Sequence, residues 1–164
     1  MTGAGRVRDR VFDWLIGHPV FEVLRWDDEY LAACGYDVRD PYVENYWLPI
    51  LGPSAVLALR RVADQLEQCP TWTHVDLVDF GASLGIGGST GRHTHINRTI
   101  ARLVGFGLAR IDGDGLYVRT SIPPLPIRFR HRLPRPLYDA LAELDQRPTV
   151  CTSVCTSVCT SKES

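Results

Sequence analysis

One helix followed by one hairpin narrows the folds open to this chain more than any other feature. Ile96, Ile100, Leu103 and Val104 recur at helical spacing, and at 100° per residue all lie within about 60° of the Ile100 direction. A helix near residues 93–105 therefore has one apolar stripe, ended by Gly105 and Gly107. The opposite face receives Thr94, His95, Arg98 and Arg102. Directly behind it, LARID and LYVRTSI are two β-like runs joined at DGDG, a strong hairpin signal. The hairpin is expected over 109–121.

Upstream, helical periodicity is clearest in SAVLALRRVADQLEQ, where Val56, Leu59, Ala63 and Leu66 share a face, giving a helix over 54–68. VDLVDFGASL, Val75 to Leu84, reads as a shorter helix, preceded by extended residues at TWTHV. Nearer the start, RVRDRVFDWLI aligns Val7, Val11 and Leu15, WDDEYLAACGY reads as a short helix closed by Gly35, and Asp40-Pro41 resembles an N-cap with proline at the first helical position. Ile122-Pro-Pro-Leu-Pro126 is a stiff extended connector feeding the basic IRFRHRLPR, and Leu137 to Leu144 suggests a last helix. From Thr149 the chain becomes VCTSVCTSVCTS, a low-complexity repeat expected to be disordered.

The net charge of −1 conceals a marked segregation. Residues 1–87 carry seven Arg against 13 Asp and Glu, a balance of −6, whereas residues 88–135 carry nine Arg against two Asp, a balance of +7. A basic segment of that density is the footprint of a surface that meets a polyanion. With five cysteines, three of them in the terminal repeat, the chain lacks the layout of a disulfide-stapled secreted fold. No apolar run approaches the ~18 residues needed to span a bilayer, and the N-terminus lacks the apolar stretch of a signal peptide. A cytoplasmic protein without membrane partners is expected.

GIGGSTG, residues 85–91, superficially resembles a phosphate-cradling loop, but such loops follow a buried strand in a βαβ unit, and no Gly-Lys-Ser/Thr follows here. His93-x-His95 lacks the close ligand pairs of a zinc site, and Asp112-Gly-Asp-Gly lacks the acidic twelfth residue of a calcium loop. No nucleophile, base and orienter set is recognisable. Neither catalytic residue, metal nor cofactor is expected.

The order of helix 54–68, short helix, turn, polar-faced helix and hairpin resembles the winged helix-turn-helix family. RTIARLVGFGLARIDGDGLYVRT is similar to that family's step from recognition helix into wing. Tyr46-Trp-Leu-Pro-Ile-Leu-Gly-Pro53 is similar to a segment preceding the winged helix in short actinobacterial proteins. The resemblance implies a mainly α, α+β fold. Its winged domain spans 49–122, with an N-terminal helical extension over 1–48, a basic connector and C-terminal helix over 123–148, and a tail over 149–164. It also implies sequence-specific binding of double-stranded DNA and transcriptional regulation.

In that reading Thr94, His95, Arg98 and Arg102 face the major groove, with Arg92 near the helix start. Arg110 and Arg119 on the wing, and Arg128, Arg130 and Arg132 in the connector, meet phosphates or the minor groove. The alternative is a winged helix that meets an acidic protein partner. The acidic, aromatic N-terminal region is expected to pack over the core, form a homodimer or sense a ligand. One departure from the family is the usual three- to four-residue turn between the two helices, expanded here by GIGGSTG.

Overall fold

The computed structural model describes residues 3–146, and the chain divides into two compact units, one ending at Leu133 and one beginning at Pro134. In the first unit, α1 (Gly3–Gly17) buries Val11, Phe12 and Leu15, and β1 (Val20–Arg25) buries Phe21 and Val23. α2 (Glu29–Cys34) starts on Asp28, whose carboxylate accepts the Leu31 N–H at 3.2 Å, and is followed by β2 (Tyr36–Asp37). A π-helical turn, Val43–Trp47, runs into α3 (Leu48–Leu51). Pro49, which lacks an N–H and crowds the carbonyl four residues back, lies two residues past that wider turn.

α4 (Pro53–Gln68) buries the stripe expected of it, then β3 (Thr71–Asp76) leads into α5 (Leu77–Ser83). α6 (His95–Gly105), β4 (Ala109–Asp112), β5 (Gly115–Val118), β6 (Ser121–Ile122) and α7 (Ile127–Arg130) complete the unit. The second unit contains α8 (Arg135–Gln146). The fold class is α+β. The cysteine repeat, and the end of the connector segment expected to reach 148, lie outside the described residues.

Four points depart from the sequence reading. Val75 belongs to β3 rather than to a helix, because Asp76 caps α5 by accepting the N–H groups of Val78 and Asp79 at 2.8 and 3.0 Å. VFEVLR, which carried no expected element, is a strand. It takes the interior of a four-stranded sheet of order β3-β1-β5-β4, antiparallel to β3 and parallel to β5. The hairpin is therefore no freestanding wing, since β5 is hydrogen-bonded on both edges. Nor is 1–48 an extension of a separate 49–122 domain.

The sheet explains why the N-terminal region cannot be detached. Phe21 and Val23 of β1, Val75 of β3, and Leu116 and Val118 of β5 are buried, as are Ile96, Ile100 and Leu103 of α6, which packs on β4 of the same sheet. α1 packs along α6 from the other end of the chain. Trp47, 1% exposed, donates its indole N–H to the Pro123 carbonyl at 2.9 Å, and the Leu125 N–H donates to the Tyr42 hydroxyl at 2.9 Å. Both bonds fasten the proline-rich connector to the Tyr-Trp segment.

A fragment of residues 49–122 should give no cooperative thermal transition by circular dichroism, whereas residues 1–133 should unfold with one. The shorter fragment lacks β1 and so exposes one edge of β3 and one of β5.

Candidate nucleic-acid interface

α6 begins where its sequence says a helix should. Thr94 is the N-cap, with extended backbone geometry, and its Oγ1 accepts the Asn97 N–H at 3.2 Å. Asn97, 2% exposed, donates its side-chain amide to the carbonyls of Gly91 and Arg92 at 2.9 and 3.1 Å. The end of the enlarged turn is thereby latched to the first turn of the helix. Its beginning folds back on α5: a Cβ on Gly81 would meet the Gly87 carbonyl oxygen at 2.8 Å, so only glycine permits this approach. Gly87 itself sits at a φ of 86°. The glycines shape a turn between two helices.

With Ile96, Asn97, Thr99, Ile100, Ala101 and Leu103 buried, α6 keeps a narrow exposed strip that contains His95, Arg98 and Arg102. The Arg98 guanidinium makes no hydrogen bond or ion pair among the described residues. Arg102 donates to the Leu51 carbonyl at 2.8 Å, at the end of α3, and approaches α4 where Gly52 has no side chain to obstruct it. The strip separates two hollows. One, of about 190 Å³, lies against the first residues of α4, Pro53 to Ala55. The other, of about 670 Å³, opens between α6 and α1 and is lined by Arg8, Arg98, Arg102 and Arg132 and by one carboxylate, Asp9.

The remaining expected contacts have different fates. Thr94 is half-buried and its hydroxyl serves the cap. Arg92 pairs with Asp13 of α1 and lies 6.0 Å from the Phe12 ring centroid, so α1 engages it internally. Arg128 is exposed, 4.8 Å from the centre of the Phe129 ring, and Arg132 lies 5.6 Å from the same ring. Arg130 is half-buried and donates its Nε–H to the Leu125 carbonyl at 3.2 Å.

Arg119 is engaged within the protein. It donates to Asp28 at 2.6 Å and to the Gly107 carbonyl at 3.1 Å, stacks 3.9 Å from the Trp26 ring centre, and leaves 14% of its side chain exposed. Arg110, exposed on β4, lies over Trp26 and Tyr117 at 4.9 and 5.0 Å. The hairpin tip is acidic, carrying Asp112 and Asp114, and is tied to the end of α1: Trp14 donates to the Gly113 carbonyl at 2.9 Å, and His18 meets Asp114 at 3.2 Å. An acidic, tethered tip is unsuited to phosphate.

Sequence reasoning missed Arg8, Phe12, Phe106 and Phe129, which line the larger hollow. The alternating arginines at 6, 8 and 10 were the available signal, masked by the acidic balance of the region around them. Among the described residues, no group of three or more His, Cys, Asp and Glu is placed to hold a metal ion, and no helix is long and apolar enough to cross a membrane. No protein-family model, curated protein or solved structure matches the chain.

Asn97→Ala should lower stability by about 1–3 kcal/mol in urea unfolding, since it leaves two loop carbonyls without their donor. It should also increase protease cutting between Gly85 and Arg92. A second prediction concerns acid. The Arg119 hydrogen bond, then the Leu31 N–H, hold the Asp28 carboxyl below its ordinary value of 3.8. A lowered folded-state value stabilises the fold above the ordinary pKa and ceases to do so as pH falls through the lowered one. Asp28→Asn should therefore reduce the melting temperature at pH 7 and flatten its decline below about pH 4.

Proposed function

We propose that the protein binds double-stranded DNA sequence-specifically through the exposed strip of α6, and acts as a transcriptional regulator. The observation that carries this reading is the concentration of unneutralised cations on one helix edge, with Arg98 free and Arg8 and Arg132 beside it. An arginine on a helix held rigidly by its cap and its buried stripe can present a bidentate donor pair to guanine. The order α4, β3, α5, α6, β4, β5 also supports it, being that of a winged helix-turn-helix with β1 inserted beside β3. On this reading the protein is cytoplasmic, with access to the chromosome.

The geometry favours a revised set of contacts. His95, Arg98 and Arg102 would read bases, while Arg128 and Arg132 would meet phosphates from the connector side. Arg119, Arg92 and the hairpin tip drop out. One observation favours the second reading, a basic face for an acidic protein partner: α1 lies along α6 and limits how far that helix can enter a groove.

Counterion release separates the two for generic duplex DNA, because log K falls with log salt by about 0.9 per phosphate neutralised. A steep slope is expected, and the absence of duplex binding at low salt would sink the DNA reading. Arg98→Ala should cost about 1–3 kcal/mol on a selected site and little on random DNA, whereas Arg128→Ala should weaken both alike. Fluorescence anisotropy with the two duplexes measures this, and equal losses from both variants would count against α6 as the reading element.

A further inference from the structure

We propose that the hollow between α1 and α6 binds a small organic anion with a flat ring and at least two negative charges, and that this ligand competes with DNA for Arg98 and Arg102. The competition rests on the DNA-binding reading. The site itself does not.

Size is the first argument. At about 670 Å³ the hollow falls within the range of roughly 300–1,000 Å³ that accommodates cofactor-sized molecules. Charge is the second. Four arginines and one aspartate line it, and Arg8 and Arg98 have no hydrogen-bond or ion-pair partner among the described residues. Guanidinium groups gathered this way repel one another, and an anion of two or three charges relieves that repulsion with paired hydrogen bonds.

The walls supply the third argument, because they are aromatic where a purely electrostatic surface would be polar. Phe106 and Phe129 meet edge to face at 5.0 Å, and Phe12 stands edge to face with His93 at 5.1 Å. A planar ring between them stacks on phenyl or guanidinium faces while its charged end reaches the arginines. Asp9 offers an acceptor to an amino or hydroxyl group on the ring. Phosphate or carboxylate groups would satisfy the arginines equally well, so the shared requirement is a ring bearing anionic groups.

Occupancy has a consequence for α6. Arg98 and Arg102 lie both on the exposed strip and in the wall of the hollow, so a guanidinium engaged by the ligand is withdrawn from a base edge. The small molecule would act as a release signal, sensed by the recognition surface itself.

The test titrates the full-length chain calorimetrically at about 0.15 M salt with ADP, phthalate, pyrophosphate and adenosine. At least one ring-bearing anion, ADP or phthalate, should bind about tenfold more tightly than pyrophosphate or adenosine. Which of the two does so distinguishes a phosphate from a carboxylate ligand. Arg8→Glu should weaken that binding by about tenfold or more, and Phe129→Leu, which keeps apolar volume but removes the ring, should weaken it severalfold. Unchanged thermal unfolding checks that both variants are folded.

Ring-bearing anions no better than pyrophosphate, or binding indifferent to Arg8→Glu, would overturn the site. Displacement of a bound duplex by the tighter anion supports the competition, and a duplex that stays bound at saturation overturns it. Arg8-dependent anion binding by a protein with no duplex affinity would uphold the site and reject the DNA reading.

Discussion

Everything in the first unit depends on β1 lying between β3 and β5. Without it the two strands would face each other across an unfilled gap, and neither the hairpin nor the strand before α5 would have a hydrogen-bonded neighbour on its inner edge. Its two buried side chains, Phe21 and Val23, lie on one face of the strand, and the sheet it holds together packs against α6 through β4. The strand also holds the end of the preceding helix: α1 ends at Gly17, three residues before β1, and packs along α6. One six-residue strand thus sets both the sheet and the surroundings of the proposed reading helix.

That arrangement sorts the arginines into two populations that composition treats as one. Some are consumed by the protein. Arg119 bonds Asp28 and stacks on Trp26, and Arg92 pairs with Asp13, whereas Arg102 spends only one of its donors, on the Leu51 carbonyl. Others, Arg98 and Arg8 foremost, remain uncommitted at the margin of α6. A guanidinium already bonded and stacked is worth little to a polyanion, because binding would have to break what it has. The balance of +7 in residues 88–135 overstates the charge on offer there, and the acidic balance before it hides Arg8.

The helices of the central region were legible because their apolar spacing is local: Val56, Leu59, Ala63 and Leu66 declare a face without reference to anything distant. The hairpin was legible from Asp-Gly alone, and Gly113 does take a φ of 58°. β1 was not. VFEVLR is short, its neighbours in space lie near residues 75 and 116, and parallel pairing leaves no turn signature between partners. The fates of single arginines were equally hidden, since Arg119 finds Asp28 across 91 positions of chain. His95, Arg98 and Arg102 could be placed on one exposed strip in advance, but the helix alongside it could not.

The position of β1 also bears on how the chain emerges during synthesis. The strand is made early, yet its parallel partner ends at Val118, so through most of translation it has nothing to pair with on that side. Contacts so far apart in sequence close slowly, and an apolar strand kept waiting is a target for mispairing. Nascent α1 and β1 therefore have to be tolerated as an unpaired amphipathic segment until the hairpin appears. In this protein α6 gains its final surroundings no earlier than the sheet, so no chain that stops short of the hairpin presents the finished edge of that helix.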